Sequence, residues 1–200
     1  EILPLIQRVH DSDWGSFIGI HAHIGSQIFD IQPYYDLVSI LVDYMVKIKA
    51  VIGHDILELN CGGGFGIQYT DDDQAPDIPE IILKMATELK LLCQQNNLAQ
   101  PKLIFEPGRS IIANAGVTLY SVGATKDIKD GPHYLFVDGG MADNPRPMMY
   151  NAEYLFETYQ QQESQTTYSI AGKYCESSDI LATNKIHVVN PFAKLKVFCE

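Results

Sequence analysis

Three short runs in this sequence carry groups suited to binding an anion or a ring-shaped cofactor. They lie at residues 19–27 (GIHAHIGSQ), 58–67 (ELNCGGGFGI) and 105–110 (FEPGRS). Each run follows apolar residues typical of a strand, and a predicted helix separates each run from the next. Barrels built from consecutive βα units place their chemistry at the carboxyl ends of their strands. We therefore predict that the three runs together hold one cofactor that carries a phosphate.

The second run contains three consecutive glycines, Gly62, Gly63 and Gly64. Glycine adopts positive φ and allows close approach to its backbone, so these N–H groups can converge on a phosphate. The run lacks the GxGxxG spacing of a dinucleotide fold and the Lys-Ser/Thr of a nucleotide P-loop. Taken alone, a purely structural glycine turn is an equally good interpretation.

The third run places a carboxylate close to a guanidinium. Glu106 ends a predicted strand and is expected to face the barrel opening, and Pro107 and Gly108 turn the chain so that Arg109 can face an anion. A carboxylate beside a pyridinium nitrogen keeps that nitrogen protonated and the ring an electron sink. The guanidinium fork suits phosphate or carboxylate. Taken alone, these two residues could equally form an ion pair with each other.

The first run contains the histidines His21 and His23, followed by Ser26. We predict that His23 faces a cofactor ring and that Ser26 contacts a phosphate or hydroxyl group. An H-x-H pattern at a barrel strand end also suits the metal pair of a hydrolase, which needs further His or Asp at later strand ends. Those ends carry glycines and Glu-Pro-Gly-Arg instead, so we predict no metal.

Two later runs add residues of a different kind, at residues 137–150 (VDGGMADNPRPMMY) and 171–181 (AGKYCESSDIL). Arg146 lies between two prolines, which stiffen the chain and fix the direction of the guanidinium. Cys175 beside Glu176 suits a positioned acid. A lone cysteine is more often a buried apolar thiol, and that alternative stays open from the residues alone.

The pattern of apolar residues predicts which elements position these runs. Spacings of three and four residues predict a helix from Pro33 to Gly53, with Tyr44 in its apolar stripe, and a second helix from about Pro79 to Gln95. After Arg109 we predict strands at 117–124, 134–137 and 168–171, and a polar loop at residues 160–165. We predict an α/β partial barrel over residues 1–113 and part of a mainly β domain over 114–200.

Composition narrows the class of protein. The 200 residues carry a formal net charge of −11, which argues against a nucleic-acid partner. No apolar run approaches the roughly 20 residues of a membrane span. The four cysteines form no C-x-x-C pair, which favours a reducing cytoplasm. The sequence starts without Met inside a predicted helix, so we expect an internal piece of a longer protein.

Together the five runs resemble the diaminopimelate decarboxylases, pyridoxal-phosphate enzymes of the alanine racemase/ornithine decarboxylase fold type, over residues 17–181. The resemblance implies the C-terminal part of a (β/α)8 TIM-type barrel. It also implies that His23 stacks on the pyridine ring, that Ser26 contacts the cofactor and that Glu106 pairs with the pyridinium nitrogen. The residues implied to surround the phosphate are Gly62, Gly63, Gly64, Gly108 and Arg109.

The same resemblance implies how the substrate is held. Arg109, Arg146 and Tyr150 match the contacts to the distal carboxylate of meso-diaminopimelate. Cys175 matches the proton donor and Glu176 the contact to the distal amino-acid centre, both serving the cofactor of the partner subunit. The implied enzyme is therefore a homodimer with shared active sites that releases CO2 and forms L-lysine.

The sequence also departs from the family pattern. The run that carries the cofactor-bearing lysine and the late Gly-Ala-Tyr contact are both missing, so we expect no decarboxylation by the isolated 200 residues. Ala142 stands where Asn is usual, and Ser178 where Gly is usual. If that glycine has positive φ, Ser178 costs about 1 kcal/mol and shifts Asp179 slightly.

Other functions stay open. Arginine or ornithine decarboxylases take substrates with a distal cation, which calls for carboxylates where this sequence offers Arg146 and Tyr150. A decarboxylase of a carrier-linked or unusual amino acid can keep every run quoted above. A non-catalytic pyridoxal-phosphate-binding protein needs the phosphate loops but neither Arg146 nor Cys175.

Overall fold

The computed structural model describes residues 2–158, 166–187 and 194–199, whose backbone divides into two compact units. Unit 1 comprises Glu1–Ile67 and Gln74–Ile111, and unit 2 comprises Gln68–Asp73 and Ile112–Glu200. The residues 160–165, predicted to be a polar loop, lie outside the described part of the chain.

Unit 1 alternates helices and strands. Its elements are α1 (Ile2–His10), β1 (Gly19–His21), α2 (Gln32–Ile52), β2 (Glu58–Asn60), α3 (Ile78–Gln95), β3 (Lys102–Ile104) and α4 (Arg109–Ile112). The strands form a parallel sheet in the order β1-β2-β3. Parallel neighbours need a crossover between them, and α2 and α3 supply it. The predicted α/β alternation is confirmed.

The ends of α2 follow from its sequence, but its buried face differs from the prediction. Pro33 opens the helix, and Gly53 ends it in the left-handed conformation with its N–H donating to the carbonyl of Lys49. Tyr44 is 36% exposed, so its predicted place in the apolar stripe is wrong. At 100° per residue Tyr44 lies roughly 80° from the centre of the stripe. The residues of α2 that are buried are Tyr34, Leu37, Val38, Leu41, Val42, Met45, Ile48 and Ile52.

The second long helix, α3, covers the same core. The Asp77 side chain accepts the N–H of Glu80 and caps the first turn. The fully buried residues of α3 are Ile81, Met85, Leu89 and Cys93, of which Cys93 was not predicted. Together with the buried face of α2 they form one apolar cluster behind the parallel sheet.

Unit 2 is mainly β. Its elements are a 3₁₀ turn (Ala113–Ala115), β4 (Gly116–Asp127), β5 (His133–Val137), α5 (Arg146–Tyr150), β6 (Leu155–Thr158), β7 (Thr167–Ala171), β8 (Ile180–His187) and β9 (Lys194–Cys199). The described strands form one sheet in the order β6-β9-β4-β5-β7-β8. β5 and β7 are parallel, and the other pairs are antiparallel. The three predicted strands lie within β4, β5 and β7, whereas β6, β8 and β9 were missed.

We expect the core of unit 1 to respond unequally to two leucine truncations on α3. Leu89 is fully buried and Leu83 is 67% exposed. Leu89→Ala should lower the free energy of unfolding by about 3 kcal/mol, because it leaves a cavity that the helices cannot close. Leu83→Ala should change it by less than about 0.5 kcal/mol. Urea unfolding of the full-length variants, followed by circular dichroism, measures both, and equal losses would contradict the packing described.

Candidate active site

The three strand-end runs of unit 1 lie side by side. His21, Asn60 and Ile104, the last residues of β1, β2 and β3, are in register. Backbone hydrogen bonds continue past the strand ends. The N–H of Ala22 donates to the carbonyl of Asn60 at 3.0 Å, and the N–H of Cys61 donates to that of Ile104 at 3.0 Å. The N–H of Glu106 donates to the carbonyl of Gly62 at 2.8 Å. The loops therefore leave the sheet at one edge and at the same level.

Glu106 is held by side chains from both neighbouring strands. The Asn60 amide donates from Nδ2 to Glu106 Oε1 at 2.7 Å, and His21 Nε2 lies 3.5 Å from Oε2. The Glu106 side chain stays 56% exposed, so its carboxylate is oriented and still accessible. These contacts position the carboxylate.

Asn60 has a second partner, the N–H of Gly62, which donates to its Oδ1 at 2.9 Å. One side chain therefore fixes both the carboxylate and the start of the glycine tract. Sequence reasoning missed Asn60 and the role of His21. Alternation along strands offered a signal, because His21, Asn60 and Glu106 fall on one face of the sheet once the register is known.

The glycine tract has no room for side chains. Gly62 and Gly64 have φ of +66° and +87°. A Cβ added to Gly63 would lie 2.3 Å from the carbonyl oxygen of Glu106, and one added to Gly64 would lie 2.0 Å from that of Gly25. The N–H groups of Gly62 and Gly63 already donate to Asn60 and to His23 Nδ1, the latter at 3.3 Å. The tract thus has a structural role here, and its contact with a phosphate stays a prediction.

A cation and a hydroxyl group meet beside this tract. Arg109 opens α4 and donates from Nη2 to Ser26 Oγ at 2.9 Å, which joins the first and third runs. Gly108 lies next to open space, since no atom comes within 4 Å of a Cβ built on it. A guanidinium and a hydroxyl beside an open turn suit an oxyanion.

The imidazole of His23 lies against the glycine tract. Its Nδ1 accepts the N–H of Gly63, so the neutral ring carries its proton on Nε2. The residue is exposed. The ring is therefore fixed at one edge and available to pack on a flat ligand.

A buried aromatic pair supports the tract from the helix side. Tyr34 is 1% exposed, and its ring stacks on Phe65 with the centroids 5.0 Å apart. Burial raises the pKa of Tyr34 to about 12, which keeps the phenol neutral. Its hydroxyl donates to the carbonyl of Gly63 over a long 3.5 Å. Sequence reasoning missed this support, because Tyr34 reads as an ordinary core residue of α2.

In unit 2, Arg146 and Tyr150 lie one turn apart on α5. The guanidinium carbon of Arg146 is 5.3 Å from the centroid of the Tyr150 ring, within cation–π range. The buried Nε of Arg146 has no acceptor among the described residues. An unsatisfied buried donor on a cation favours an anionic partner, as predicted for this residue.

Cys175 and Glu176 lie between β7 and β8, and both are exposed. The alternative that Cys175 is a buried apolar thiol is therefore wrong. The backbone N–H of Ser178 and the hydroxyl of Ser177 hold the pKa of Glu176 below its usual value. The Glu176 side chain is thus an anion at neutral pH.

A stretch that spans nearly all of unit 1 decides the family. Residues 4–113 match the model of the pyridoxal-dependent decarboxylase, pyridoxal binding domain. The chain belongs to the pyridoxal-dependent decarboxylase family. The matched residues include every predicted cofactor contact of unit 1, and this membership favours pyridoxal phosphate over the metal site of a hydrolase.

Relatives within the family are similar over most of the chain. A diaminopimelate decarboxylase of Synechocystis sp. is 45% identical over 166 residues, which cover 82% of this chain and 35% of the relative. That of Bacillus subtilis is 36% identical, with coverages of 97% and 45%. The crystal structure of the M. jannaschii enzyme with L-lysine has a TM-score of 0.85 at 32% identity and covers 98% of this chain and 45% of that one. The chain thus spans about 35–45% of the length of these relatives.

The groups assembled in unit 1 fit pyridoxal phosphate. Arg109 and Ser26 suit its phosphate, the exposed face of His23 suits its ring, and the oriented carboxylate of Glu106 suits its ring nitrogen. Within the described residues, no group of three or more His, Cys, Asp or Glu is placed to hold a metal ion. None of the described helices is long and apolar enough to cross a membrane.

We expect the close backbone contact at Gly64 to be essential for the site. Gly64→Ala would combine a positive φ with a clash against the carbonyl of Gly25. In the full-length protein it should raise the dissociation constant of pyridoxal phosphate at least about tenfold, because the loop must move away from the strand ends. Gly15→Ala, at a glycine with open space around it, is the matched control. Absorbance titration of the apoprotein measures both, and unchanged affinity in Gly64→Ala would contradict the described packing.

We expect the described cysteines to differ in reactivity. Burial raises the pKa of Cys61 to about 11 and also raises that of Cys93, whereas Cys175 is exposed. A raised pKa means less thiolate at a given pH, about 0.1% for Cys61 at pH 8. Iodoacetamide at pH 8 should therefore modify Cys175 first, and Cys61 and Cys93 only after denaturation. Peptide mapping by mass spectrometry gives the order, and early modification of Cys61 would refute it.

Proposed function

We propose that this chain is part of a longer pyridoxal-phosphate-dependent enzyme that decarboxylates meso-2,6-diaminopimelate to L-lysine and CO2. The observation that carries the proposal is the cluster at one edge of the parallel sheet. There Asn60 holds Glu106, the N–H of Gly63 holds the imidazole of His23, and Arg109 donates to Ser26. The similarity to diaminopimelate decarboxylases over most of the chain supports the choice of substrate.

We assign residues 1–113 to part of a (β/α)8 TIM-type barrel and residues 114–200 to part of a β domain. The parallel order β1-β2-β3 with intervening helices supports the first assignment. The remaining strands and the lysine that carries the cofactor then belong to the rest of the full-length protein. A cytoplasmic location fits the free cysteines Cys61, Cys93 and Cys175 and the biosynthetic role.

When bound, pyridoxal phosphate supplies an electron sink for the charge left on the substrate carbon as CO2 departs. The carboxylate of Glu106 holds a proton on the ring nitrogen, and Asn60 and His21 keep that carboxylate in place. His23 packs on the ring. The phosphate contacts come from Ser26, Gly108 and Arg109 and from the tract Gly62, Gly63 and Gly64.

Unit 2 supplies the groups that recognise the far end of the substrate. The unsatisfied Nε of Arg146 and the neighbouring Tyr150 suit a distal carboxylate. Glu176, an anion at neutral pH, suits the distal ammonium group. The partner subunit's Cys175 gives a proton to the carbon that has lost CO2, so the active form is a homodimer.

The competing functions predict different recognition groups. Ornithine and arginine end in a cation, which Arg146 would repel. A non-catalytic pyridoxal-phosphate-binding protein leaves the exposed thiol of Cys175 and the buried Nε of Arg146 without a role. A carrier-linked or unusual amino acid with a distal carboxylate is the closest alternative.

The deciding experiment measures CO2 release by the full-length protein with pyridoxal phosphate, offered meso-diaminopimelate, ornithine and arginine in parallel. We expect a preference for diaminopimelate. Arg146→Ala should lower kcat/KM roughly 100-fold, because loss of a charged hydrogen-bonding partner costs about 3 kcal/mol. Cys175→Ala should lower kcat by about 10²-fold or more, through loss of the proton donor.

Arg8→Ala, at an exposed arginine on α1, is the matched control and should leave turnover unchanged. Activity on a cationic substrate alone would show that the role of Arg146 is wrong. Cofactor binding without CO2 release from any of the three would favour an unusual substrate or the non-catalytic alternative.

A further inference from the structure

Asp179 is a buried carboxylate in unit 2 to which the mechanism above gives no role. It is 2% exposed and lies just before β8. Its two oxygens accept backbone N–H groups from separate segments, Oδ1 from Met141 at 2.6 Å and Oδ2 from Tyr174 at 2.9 Å. Hydrogen bonds to a charged acceptor are about twice as strong as neutral ones, so this carboxylate is well placed to join the two segments.

The backbone around Asp179 leaves no space for other side chains. A Cβ added to Gly140 would lie 2.6 Å from the carboxylate oxygens of Asp179, and one added to Gly172 would lie 2.1 Å away. The N–H of Gly172 also donates to the carbonyl of Asp179 at 2.8 Å. The carboxylate therefore lies where three stretches of backbone meet.

Both segments lead directly to predicted substrate-binding residues. Met141 belongs to the turn before α5, in which the carbonyl of Gly140 accepts the N–H groups of Asp143 and Asn144, and α5 carries Arg146. Tyr174 immediately precedes Cys175 in the chain. A shift of Asp179 would thus move the turn before α5 and the loop that holds the thiol.

We propose that Asp179 is a positioning residue that holds both substrate-facing segments, the turn before α5 and the loop of Cys175 and Glu176. The inference rests on the proposed function, since that function gives these segments their roles. Asp179 itself touches neither substrate nor cofactor and acts through Arg146 and Cys175. It therefore governs substrate affinity and proton delivery together, and leaves the cofactor contacts of unit 1 unaffected.

The test is Asp179→Asn in the full-length protein, compared with Asp130→Asn at an exposed turn. The amide keeps the shape but replaces one acceptor oxygen with a donor, so one of the two N–H groups loses its partner. We expect amide hydrogen exchange at Met141 and Tyr174 to accelerate at least tenfold. We also expect KM for diaminopimelate to rise and kcat to fall, with the affinity for pyridoxal phosphate within twofold of the wild type.

A double-mutant cycle separates positioning from a loss of overall stability. If Asp179 acts through Arg146 and Cys175, the effect of Asp179→Asn on KM should be much smaller in an Arg146→Ala background, and its effect on kcat much smaller in a Cys175→Ala background. Full additivity, or a parallel loss of cofactor affinity, would show a merely structural role and overturn the proposal. If Asp179→Asn does not fold, Asp179→Ser, which keeps one acceptor and leaves room for water, replaces it in the same measurements.

The outcomes also separate this inference from the proposed function. A wild-type protein that binds pyridoxal phosphate but releases no CO2 from diaminopimelate refutes the proposed function and, with it, the role in that reaction. The exchange rates at Met141 and Tyr174 then still decide whether the carboxylate holds the two segments. Unchanged exchange in Asp179→Asn overturns the inference whatever the substrate.

Discussion

The close approach of three backbones at the carboxyl ends of β1, β2 and β3 is the constraint on which the candidate site depends. Because the strands are parallel and in register, their loops leave the sheet at one level and must pass within van der Waals distance of each other. The carbonyl groups of Gly25 and Glu106 occupy the space that side chains at Gly64 and Gly63 would need. The backbone thus brings Glu106, Arg109 and His23 to the same edge of the sheet, and side-chain hydrogen bonds then orient them.

Much of unit 1 could be predicted from the sequence because the signals are local. The boundaries of α2 and α3 follow from apolar spacing, from the prolines in their first turns and from Gly53. The runs themselves were recognisable because their chemistry lies in consecutive residues. Tyr44 was misplaced because residues chosen at spacings of three and four spread over a wide arc of the helix. Only the packing of α2 against its neighbours shows which residues lie at the centre of the buried face.

The residues that sequence reasoning missed have partners far away in the chain. Asn60 bonds to Glu106 across 46 positions, Tyr34 to Gly63 across 29, and Asp179 to Met141 across 38. None of these pairs has a periodic signal, since each depends on the strand register or on a turn that brings distant backbone together. Strand β9 was missed for a related reason, because it pairs with β4 and β6, which lie far away in the chain.

Asn60 and Asp179 serve similar purposes with different charges, and their surroundings explain the difference. Each accepts backbone N–H groups at a glycine-containing turn. Asn60 also faces the carboxylate of Glu106 at 2.7 Å, where a second carboxylate would share a site with a like charge and force one of the two to take up a proton. A neutral amide avoids that conflict, since it donates to Glu106 and accepts from Gly62. Asp179 faces N–H donors with both oxygens, so a full negative charge strengthens both hydrogen bonds and meets no opposing anion among its described contacts.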